Sequence, residues 1–365
     1  MKVRMNRQEL AEALVAVGSV AASRTPKEIL ECTMIEAHKD HCVLIATNLE
    51  IGIRYTVAQV EVDEEGPVVV AADKLTQIVR ESTDEVLEFN SDDSICHVRG
   101  SGAHYQIYTK PPAEFPPTAE LSGKPDLTVD AGLLRRMSEW TVLAAARENT
   151  RYAINGVLWD RNGKELVMVA TDGRRLSQAK GKLESADGAK LENIVPVKSM
   201  GVLHRVLGPA DTNVAVKATG NQLVFKTAKA TISTSLVEGQ FPKYQDVIPA
   251  KGDRVATMKT ADLLSAVKRS ALLTNEESKG VRMAFFADHL KLTSRAPTQG
   301  ESTIEIPIEY SGADMEIGFN PTFLVEALRA ISADEVRFEM SESNRPGVLR
   351  GDEGNLYVVM PVNLS

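Results

Sequence analysis

The chain has 365 residues, of which 43% are hydrophobic and 25% charged, so it can form two or three globular domains with ordinary cores. No window approaches the ~18 consecutive apolar residues of a membrane-spanning helix, and residues 1–6 lack the apolar core of a secretory signal. Three cysteines are too few for a disulfide framework, so we expect a cytoplasmic protein. The formal net charge of -8 argues at first sight against a polyanionic partner.

Six segments have helical periodicity: 6–24, 72–82, 130–151, 198–206, 259–282 and 320–332. The three longer ones begin at Asn6, Asp130 and Thr260, which are good N-cap residues, and Glu9 is placed to complete a capping box. Pro321 is typical of a first helical position. The sequence therefore predicts three pairs of helices, each with a longer and a shorter member.

Short runs of β-branched and alternating residues separate the helices. They predict strands at 42–46, 165–169 and 289–293. Leu10, Leu134 and Leu264 occupy equivalent points of the longer helices, at intervals of 124 and 130 residues. A fixed period of this size indicates an internal repeat.

The borders of the repeat are marked by a recurring turn. Phe115-Pro116 at the end of the first third returns as Phe241-Pro242 in the second, and proline-containing joints follow both. Each third has the order helix, strands, helix, strands, which predicts an α+β domain with two helices packed on antiparallel sheet. We expect three similar tandem domains over residues 1–122, 123–249 and 250–365.

Charge is distributed unevenly between the predicted layers. The six helical segments carry 16 Lys and Arg against 11 Asp and Glu, whereas the rest of the chain carries 26 against 39. A repeat that joins edge to edge by one rotation can close into a ring, and a ring lined by positive helices suits duplex DNA. The alternative is that helices simply favour Lys and Arg.

Several blocks of sequence carry a resemblance to a known family. They are RYAING at 151–156, VATDGRRL at 169–176, FPKY at 241–244, YSGADMEIGFN at 310–320 and YVVMPV at 357–362. In these blocks the chain resembles the bacterial DNA polymerase III beta subunit family, the replicative sliding clamps, across essentially its whole length. The resemblance implies a non-catalytic DNA clamp fold in which two three-domain chains form a six-domain ring, as a head-to-tail homodimer, around duplex DNA. It also implies an ATP-driven clamp loader as partner, tethering of polymerase and repair proteins by their linear motifs, and no cofactor.

A sliding clamp contacts DNA phosphates rather than base edges. The basic candidates in the helical layer and adjoining loops are Arg24, Lys74, Arg80, Arg136, Arg147, Arg151, Lys198 and Arg205. The resemblance places Arg24, Lys198 and the loop 148–151, including Asn149, near DNA. Ala153 stands where some members have a tyrosine that contacts the template strand, so we expect that contact to be missing.

The resemblance also implies a dimer seam between the first domain of one chain and the third of the other. Tyr105 and Ile107 on an edge strand would pack against Leu272 and Leu273 of the partner. An ordinary core position is the alternative interpretation of the two leucines.

A hydrophobic cleft between the second and third domains receives linear motifs in this family. The residues that correspond here are Ile154, Thr171, Gly173, Arg174, Arg175, Leu176, Pro242, Val247, Asn320, Phe323, Val358, Val359, Met360, Pro361 and Val362. A C-terminal core strand is the alternative for the valines and the methionine. Asp246 and Asn363 replace arginines of the best-known members and Ser278 replaces a bulky aromatic of one, so we expect a less basic rim.

Other chemistry has weaker support in the sequence. His38, His41, Cys42 and Cys32 are zinc-ligand types, but 38–42 is better explained as a hairpin tip, and we expect no metal there. The segment 100–102 lacks the third glycine of a dinucleotide fingerprint and predicts a turn. A hydrolase-like enzyme on a repeated α+β scaffold is the alternative function, although the chain has no GxSxG elbow.

Overall fold

A computed structural model describes residues 1–146, 153–186, 190–208, 212–249, 252–274, 280–351 and 354–363. The α-helices in these ranges are α1 Arg7–Gly18, α2 Ala72–Glu81, α3 Ala131–Val142, α4 Val197–Val206, α5 Thr260–Ser270 and α6 Pro321–Ala330. Short 3-10 helices cover Glu28–Glu31, Pro112–Glu114, Tyr244–Val247 and Ala271–Leu273.

The strands fall into three sets, one for each third of the chain. The first set is β1 Lys2–Asn6, β2 Cys32–Ala37, β3 Cys42–Thr47, β4 Ile51–Val57, β5 Val60–Glu64, β6 Gly66–Ala71, β7 Val86–Ser91, β8 Ile95–Arg99 and β9 His104–Tyr108. The second is β10 Leu127–Asp130, β11 Gly156–Asn162, β12 Glu165–Thr171, β13 Arg175–Lys182, β14 Ser185–Ala186, β15 Leu191–Pro196, β16 Asn213–Thr219, β17 Gln222–Lys226 and β18 Ala230–Ser235. The third is β19 Arg254–Lys259, β20 Val281–Phe285, β21 His289–Ala296, β22 Gly300–Pro307, β23 Glu309–Ser311, β24 Met315–Phe319, β25 Glu335–Met340, β26 Gly347–Arg350 and β27 Leu356–Val359.

The order of elements repeats three times. In each third one strand precedes a helix, five strands follow it, and a second helix leads into three more strands. This order confirms the predicted threefold α+β organisation and the strands predicted at 42–46, 165–169 and 289–293.

The chain packs as two compact units, which divide the central third between them. The first comprises 1–132, 183–189 and 198–236, and the second 133–182, 190–197 and 237–365. Strand orders in the first are β5-β1-β7-β8-β9 and β14-β10-β16-β17-β18-β4-β3-β2-β6. In the second they are β15-β11-β12-β13-β27-β26-β25-β19-β23 and β22-β21-β20-β24. Each nine-stranded sheet is therefore a five-strand and a four-strand section joined by one antiparallel pair, β18 with β4 or β13 with β27.

The core of each unit lies between helices and sheet. Leu10, Leu14 and Val17, spaced three or four residues apart, are buried on the side of α1 that contacts β3 and β4. Leu263 and Val267 do the same for α5 against β21 and β22. The apolar stripe predicted from the sequence is thus the surface by which these helices pack on their sheets.

The longer helices are shorter than predicted. The segment 6–24 is helical only to Gly18, because the Ser19 hydroxyl donates to the Ala16 carbonyl at 2.6 Å and caps the last turn. The segment 259–282 is helical only to Ser270, whose carbonyl accepts from the Ser294 hydroxyl at 2.6 Å, and 281–282 begin β20. The segment 130–151 is helical to Val142, and its last five residues lie outside the described ranges. Side-chain hydrogen bonds, which periodicity does not reveal, thus accompany the ends of α1 and α5.

Two predicted caps differ in detail from the structure. Asn6 caps α1 by accepting from the Glu9 amide at 3.1 Å, as expected. The Glu9 carboxylate does not close the capping box, since it accepts from the Gln59 amide at 2.7 Å. Thr260 is the first helical residue rather than the cap of α5, and its hydroxyl donates to the Ala333 carbonyl at 2.7 Å.

The helices retain a positive excess at their observed lengths. They carry ten Lys and Arg against seven Asp and Glu, a smaller difference than the longer predicted segments gave. Across the described ranges, no helix has the length and apolar character needed to cross a membrane.

Candidate functional site

The second unit contains a cavity of about 560 Å³ on the face of its nine-stranded sheet. It lies over β13 and β27 and is bordered by residues 240–247. Nine of the predicted cleft residues line it: Ile154, Thr171, Gly173, Arg175, Leu176, Pro242, Val247, Val358 and Met360.

The floor of the cavity follows from the pairing of β13 with β27. Leu176 lies directly opposite Val358, so both side chains project from the same face of the sheet. Behind them, Leu158, Val169 and Leu356 extend a buried apolar cluster. Met360, 42% exposed, continues the apolar surface to the rim. Such a surface can desolvate leucine and aromatic side chains of a ligand.

One wall is the tight turn between β12 and β13. Gly173 has a φ of 83°, a conformation that glycine adopts without strain. Its amide donates to the Thr171 hydroxyl at 3.1 Å, and the Arg174 amide donates to Asp172 Oδ1 at 2.9 Å. The TDGRR sequence thus supplies the acceptors and the glycine that this turn requires.

Arg175 joins this turn to helix α6 and to β27. Its Nε lies 3.0 Å from Asp172 Oδ2, its Nη1 pairs with the Glu326 carboxylate and donates to the Tyr357 hydroxyl at 3.3 Å, and it is only 6% exposed. The guanidinium also lies 4.3 Å from the centre of the Phe323 ring. Burial raises the pKa of Tyr357, whose protonated hydroxyl donates to the Phe323 carbonyl at 3.1 Å. A paired, buried cation therefore holds one end of the cavity rigid.

Six predicted cleft residues lie outside the cavity lining: Arg174, Asn320, Phe323, Val359, Pro361 and Val362. Asn320 caps α6 by accepting from the Thr322 amide at 2.9 Å, with Pro321 at the first helical position as expected. Val359 is fully buried. The Val362 amide donates to the Gly318 carbonyl at 2.9 Å and anchors the segment after β27. Their role in ligand binding stays a prediction.

Four lining residues were not predicted: Gln240, Phe241, Lys243 and Tyr244. The signal was present, because Phe241–Tyr244 is one of the sequence blocks that carry the family resemblance. Burial raises the pKa of Tyr244, so its hydroxyl stays protonated at neutral pH. Lys243 is exposed and adds a cation to a rim that also contains the exposed Asp246.

The first repeat provides an internal comparison for the cleft. Its corresponding turn has Leu49 at a φ of 75° where the second repeat has Gly173. Gly52 and Ser233 face each other in the sheet of the first unit, at the positions equivalent to Leu176 and Val358, which form the apolar floor in the second unit. Among the described residues, the repeated fold therefore builds the apolar floor at the second position and not at the first.

The rim substitutions are placed only in part. Asp246 and Asn363 are exposed, and Ser278 lies outside the described residues. Ala153 is buried in the apolar cluster beneath the cavity, with 8% exposure. The absence of a template-strand contact from this position stays a prediction.

The basic candidates gather on the helical side of the first unit. A groove of about 530 Å³ between α1, α2 and α4 is lined by Arg80 and Arg205. Arg24 and Lys74 do not line it themselves, but each directly follows a lining residue in the sequence. All four cations are exposed. Arg24, Arg205 and the equally exposed Lys198 make no ion pair with any described residue. Cations without partners are available to phosphates.

The remaining basic candidates are placed as follows. Arg136 is exposed on α3, in the second unit. Arg147, Asn149 and Arg151 lie outside the described residues.

The predicted seam residues lie at the ends of the sheets. Tyr105 and Ile107 are on β9, the edge strand of the five-stranded sheet, as expected. Leu272 is 77% exposed, so ordinary core is the wrong interpretation for it. Leu273 is half-buried and contacts β22, the edge strand of the four-stranded sheet.

The histidine and cysteine motif forms the predicted hairpin tip. The His38 amide donates to the His41 carbonyl at 2.9 Å, between β2 and β3. Burial raises the pKa of Cys42 to about 12, so its thiol is not a ready metal ligand. Gly100 and Gly102 lie in the turn between β8 and β9, also as expected.

Known proteins match the whole chain. Residues 1–119, 128–243 and 245–363 match the N-terminal, central and C-terminal domains of the DNA polymerase III beta subunit. The beta sliding clamps of Pseudomonas aeruginosa and Escherichia coli K12 are 30% and 29% identical over the full length of both chains.

Solved structures agree with these sequence matches. A sliding clamp from Pseudomonas aeruginosa bound to griselimycin superposes with a TM-score of 0.94 at 29% identity, and the beta subunit from Thermotoga maritima with 0.92 at 27%, each over all of both chains. The chain therefore belongs to the DNA polymerase III beta subunit family, the three-domain, non-catalytic beta sliding clamps.

Proposed function

We propose that this protein encircles duplex DNA as a cytoplasmic head-to-tail homodimer, with domains at 1–122, 123–249 and 250–365. It tethers replicative polymerase and repair proteins through the apolar cleft of its second unit. The observation that carries the proposal is that the threefold repeat uses one sheet-joining geometry twice, because it leaves one matching pair of strand edges for a second copy. Family membership argues against the hydrolase alternative.

The two observed joints share one design. Each unites the last strand of a three-strand set with the third strand of a five-strand set: β18 with β4, and β27 with β13. Ile232 faces Ile53 in the first joint, and Tyr357 faces Ser177 in the second. Within the described ranges, the corresponding strands β9 and β22 are edges with no further strand beside them.

The same register can be extended to these edges. When the three repeats are aligned strand by strand, Tyr105 is equivalent to Ile232 and Tyr357, the residues of β18 and β27 named above. Ser302 is equivalent to their partners Ile53 and Ser177. Antiparallel pairing then places Ile107 opposite Gly300 of the second copy. Leu273 Cδ1 lies 3.7 Å from the Cβ position of Gly300, so it would pack beneath Ile107. The seam predicted from the resemblance is thus supported by the symmetry of the fold.

The DNA contacts are proposed for the exposed cations of the helical side. Phosphate contacts from Arg24, Lys198 and the groove that includes Arg80 and Arg205 would hold the duplex without reading its sequence. An acidic chain can do this because the local field, not the net charge, acts on the ligand. Opening of the ring for circular DNA is assigned to an ATP-driven clamp loader.

The cleft is proposed to bind a linear motif of the type Gln-Leu-Ser-Leu-Phe. Its apolar floor would take the leucine and phenylalanine anchors, while polar groups at the rim fix the peptide backbone. A clamp relative is solved with griselimycin bound. Because Asp246 is acidic and Asn363 is uncharged, acidic motif residues should add little to affinity.

Retention on DNA tests the proposed function directly. The protein is assembled on a nicked circular plasmid with a clamp loader and separated from free protein by gel filtration. A ring should stay with the circle and leave after one restriction cut, because a linear duplex has ends. Equal retention on circular and linear DNA would contradict encirclement.

A further inference from the structure

We propose that Glu326, which lies on α6 and does not line the cavity, is a positioning residue for ligand binding in the cleft. It acts through Arg175, which holds the turn between β12 and β13 and, through that turn, Met360. The inference rests on the proposed function, since it concerns the same cleft.

The turn between β12 and β13 connects separate parts of the cavity lining. Gly173 lies in the turn, and the Met360 amide donates to the Arg174 carbonyl at 2.9 Å. At the start of the turn, the Thr171 hydroxyl donates to the Arg175 carbonyl at 2.6 Å. A shift of the turn therefore moves three lining residues together, namely Thr171, Gly173 and Met360.

One carboxylate serves both the turn and the buried cation. Asp172 Oδ1 accepts from the Arg174 amide at 2.9 Å and from the Arg175 amide at 3.1 Å. Asp172 Oδ2 accepts from Arg175 Nε at 3.0 Å. The conformation of the turn and the direction of the guanidinium are thus set by the same side chain, so a guanidinium that moves disturbs the amide bonds of the turn.

Glu326 holds this guanidinium from α6. Its carboxylate pairs with Arg175 Nη1, which also donates to the Tyr357 hydroxyl at 3.3 Å. The Arg175 side chain is only 5% exposed, so solvent compensates little for a lost partner. Removing one partner of a buried pair leaves an uncompensated charge, which is strongly unfavourable. Without Glu326, Arg175 should turn toward solvent or draw Asp172 away from the turn, and either change alters the cavity wall.

The alternative interpretation is an ion pair that stabilises the fold and has no effect on the cleft. The second unit contains such a pair for comparison. Glu316 pairs with Arg282 between β24 and β20, both side chains are about half exposed, and neither residue lines the cavity. The two interpretations differ in the peptide affinity of the folded protein, because a purely structural pair changes the unfolding free energy and not the cleft.

The test measures the dissociation constant of a Gln-Leu-Ser-Leu-Phe peptide by calorimetry with the full chain, while urea unfolding confirms that each variant is folded. Glu326→Gln should raise the dissociation constant about tenfold, as expected for residues coupled in one network. Glu326→Asp withdraws the charge by one carbon and should raise it about threefold, which provides the measurement if Glu326→Gln does not fold. Glu316→Gln, the matched loss of an ion pair with arginine, should leave the dissociation constant unchanged.

A double-mutant cycle shows whether the effect passes through Arg175. Arg175→Met should itself weaken peptide binding. In that background Glu326→Gln should have no further effect on the dissociation constant, because the side chain that Glu326 positions is gone.

The outcomes separate the positioning role from the cleft itself. A wild-type chain that binds no peptide contradicts the cleft assignment and the positioning role with it. Peptide binding that the folded Glu326 variants leave unchanged contradicts the positioning role alone. An equal loss of affinity from Glu326→Gln with and without Arg175 also overturns the inference, since Glu326 would then act by another route.

Discussion

Replacing Leu272 by alanine should weaken the dimer without weakening the monomer. The side chain is 77% exposed in the single chain, so its removal leaves no cavity there. In the proposed ring the same side chain is covered by β9 of the partner. The substitution therefore distinguishes a residue buried in the dimer seam from a surface residue that makes no contribution to dimer stability.

The expected magnitude follows from the buried carbons. Leucine has three more carbons than alanine, and each is worth about 0.8 kcal/mol when buried, so one seam loses about 2.4 kcal/mol. A two-chain ring has two identical seams, and the dimer loses about 5 kcal/mol, or three to four powers of ten in Kd. Adding Leu273→Ala should give folded monomers at micromolar concentration.

Sedimentation velocity across a dilution series measures the Kd, and urea unfolding checks the fold. Val15→Ala, a 56% exposed aliphatic residue on α1, is the matched control and should leave the Kd unchanged. An unchanged Kd for Leu272→Ala would remove it from the seam. A monomeric variant with reduced unfolding free energy would show that the effect is one of folding.

Three further changes have defined outcomes. Arg24→Glu with Lys198→Glu should weaken retention on DNA and lower the slope of log K against log salt by about 0.9 for each phosphate that the protein no longer neutralises; an unchanged slope would refute the assignment of both residues to DNA. Deleting 360–365 should abolish binding of a Gln-Leu-Ser-Leu-Phe peptide in calorimetry while the ring stays dimeric, because Met360 lines the cleft; undiminished peptide binding would sink the cleft assignment. Tyr357→Phe should lower the urea unfolding free energy by roughly 1–3 kcal/mol, since Arg175 loses a buried partner, whereas the 82% exposed Tyr108→Phe should have no effect; equal stabilities would show that the hydroxyl does not support the network.

The threefold repeat could be predicted because short sequence patterns recur at equivalent positions of the thirds of the chain. Residue types typical of N-caps, the leucines at equivalent helical points and the Phe-Pro turn each recur in the sequence, and Phe115 is buried in an apolar cluster. Helix ends could not be predicted to the residue. They depend on single side-chain bonds such as that of Ser294 to Ser270, which come from a strand distant in sequence.

The cleft could be predicted only through the resemblance. The turn between β12 and β13 can be predicted from the sequence, since Asp172 and Gly173 are typical turn residues. The ion pair at the other end of the cleft cannot be predicted in this way, because Arg175 and Glu326 are 151 positions apart in the sequence. Tyr244 lies in the FPKY block that carries the resemblance, but the sequence does not predict that it lines the cavity. A sequence motif identifies family membership, whereas the direction of each side chain depends on the folded backbone.

Chemical closure of the seam on circular DNA tests the proposed ring most directly. Gln106→Cys and Glu301→Cys in one chain place reactive thiols opposite each other in the proposed register, while Cys32, Cys42 and Cys96 are buried. After loading on a nicked circular plasmid, a short bismaleimide should link the two seams covalently.

The linked dimer should remain on the circle in SDS, which disrupts non-covalent association, and should be released by a single restriction cut. Linked dimers that leave the intact circle in SDS, or thiols that never link, would contradict a head-to-tail ring around DNA.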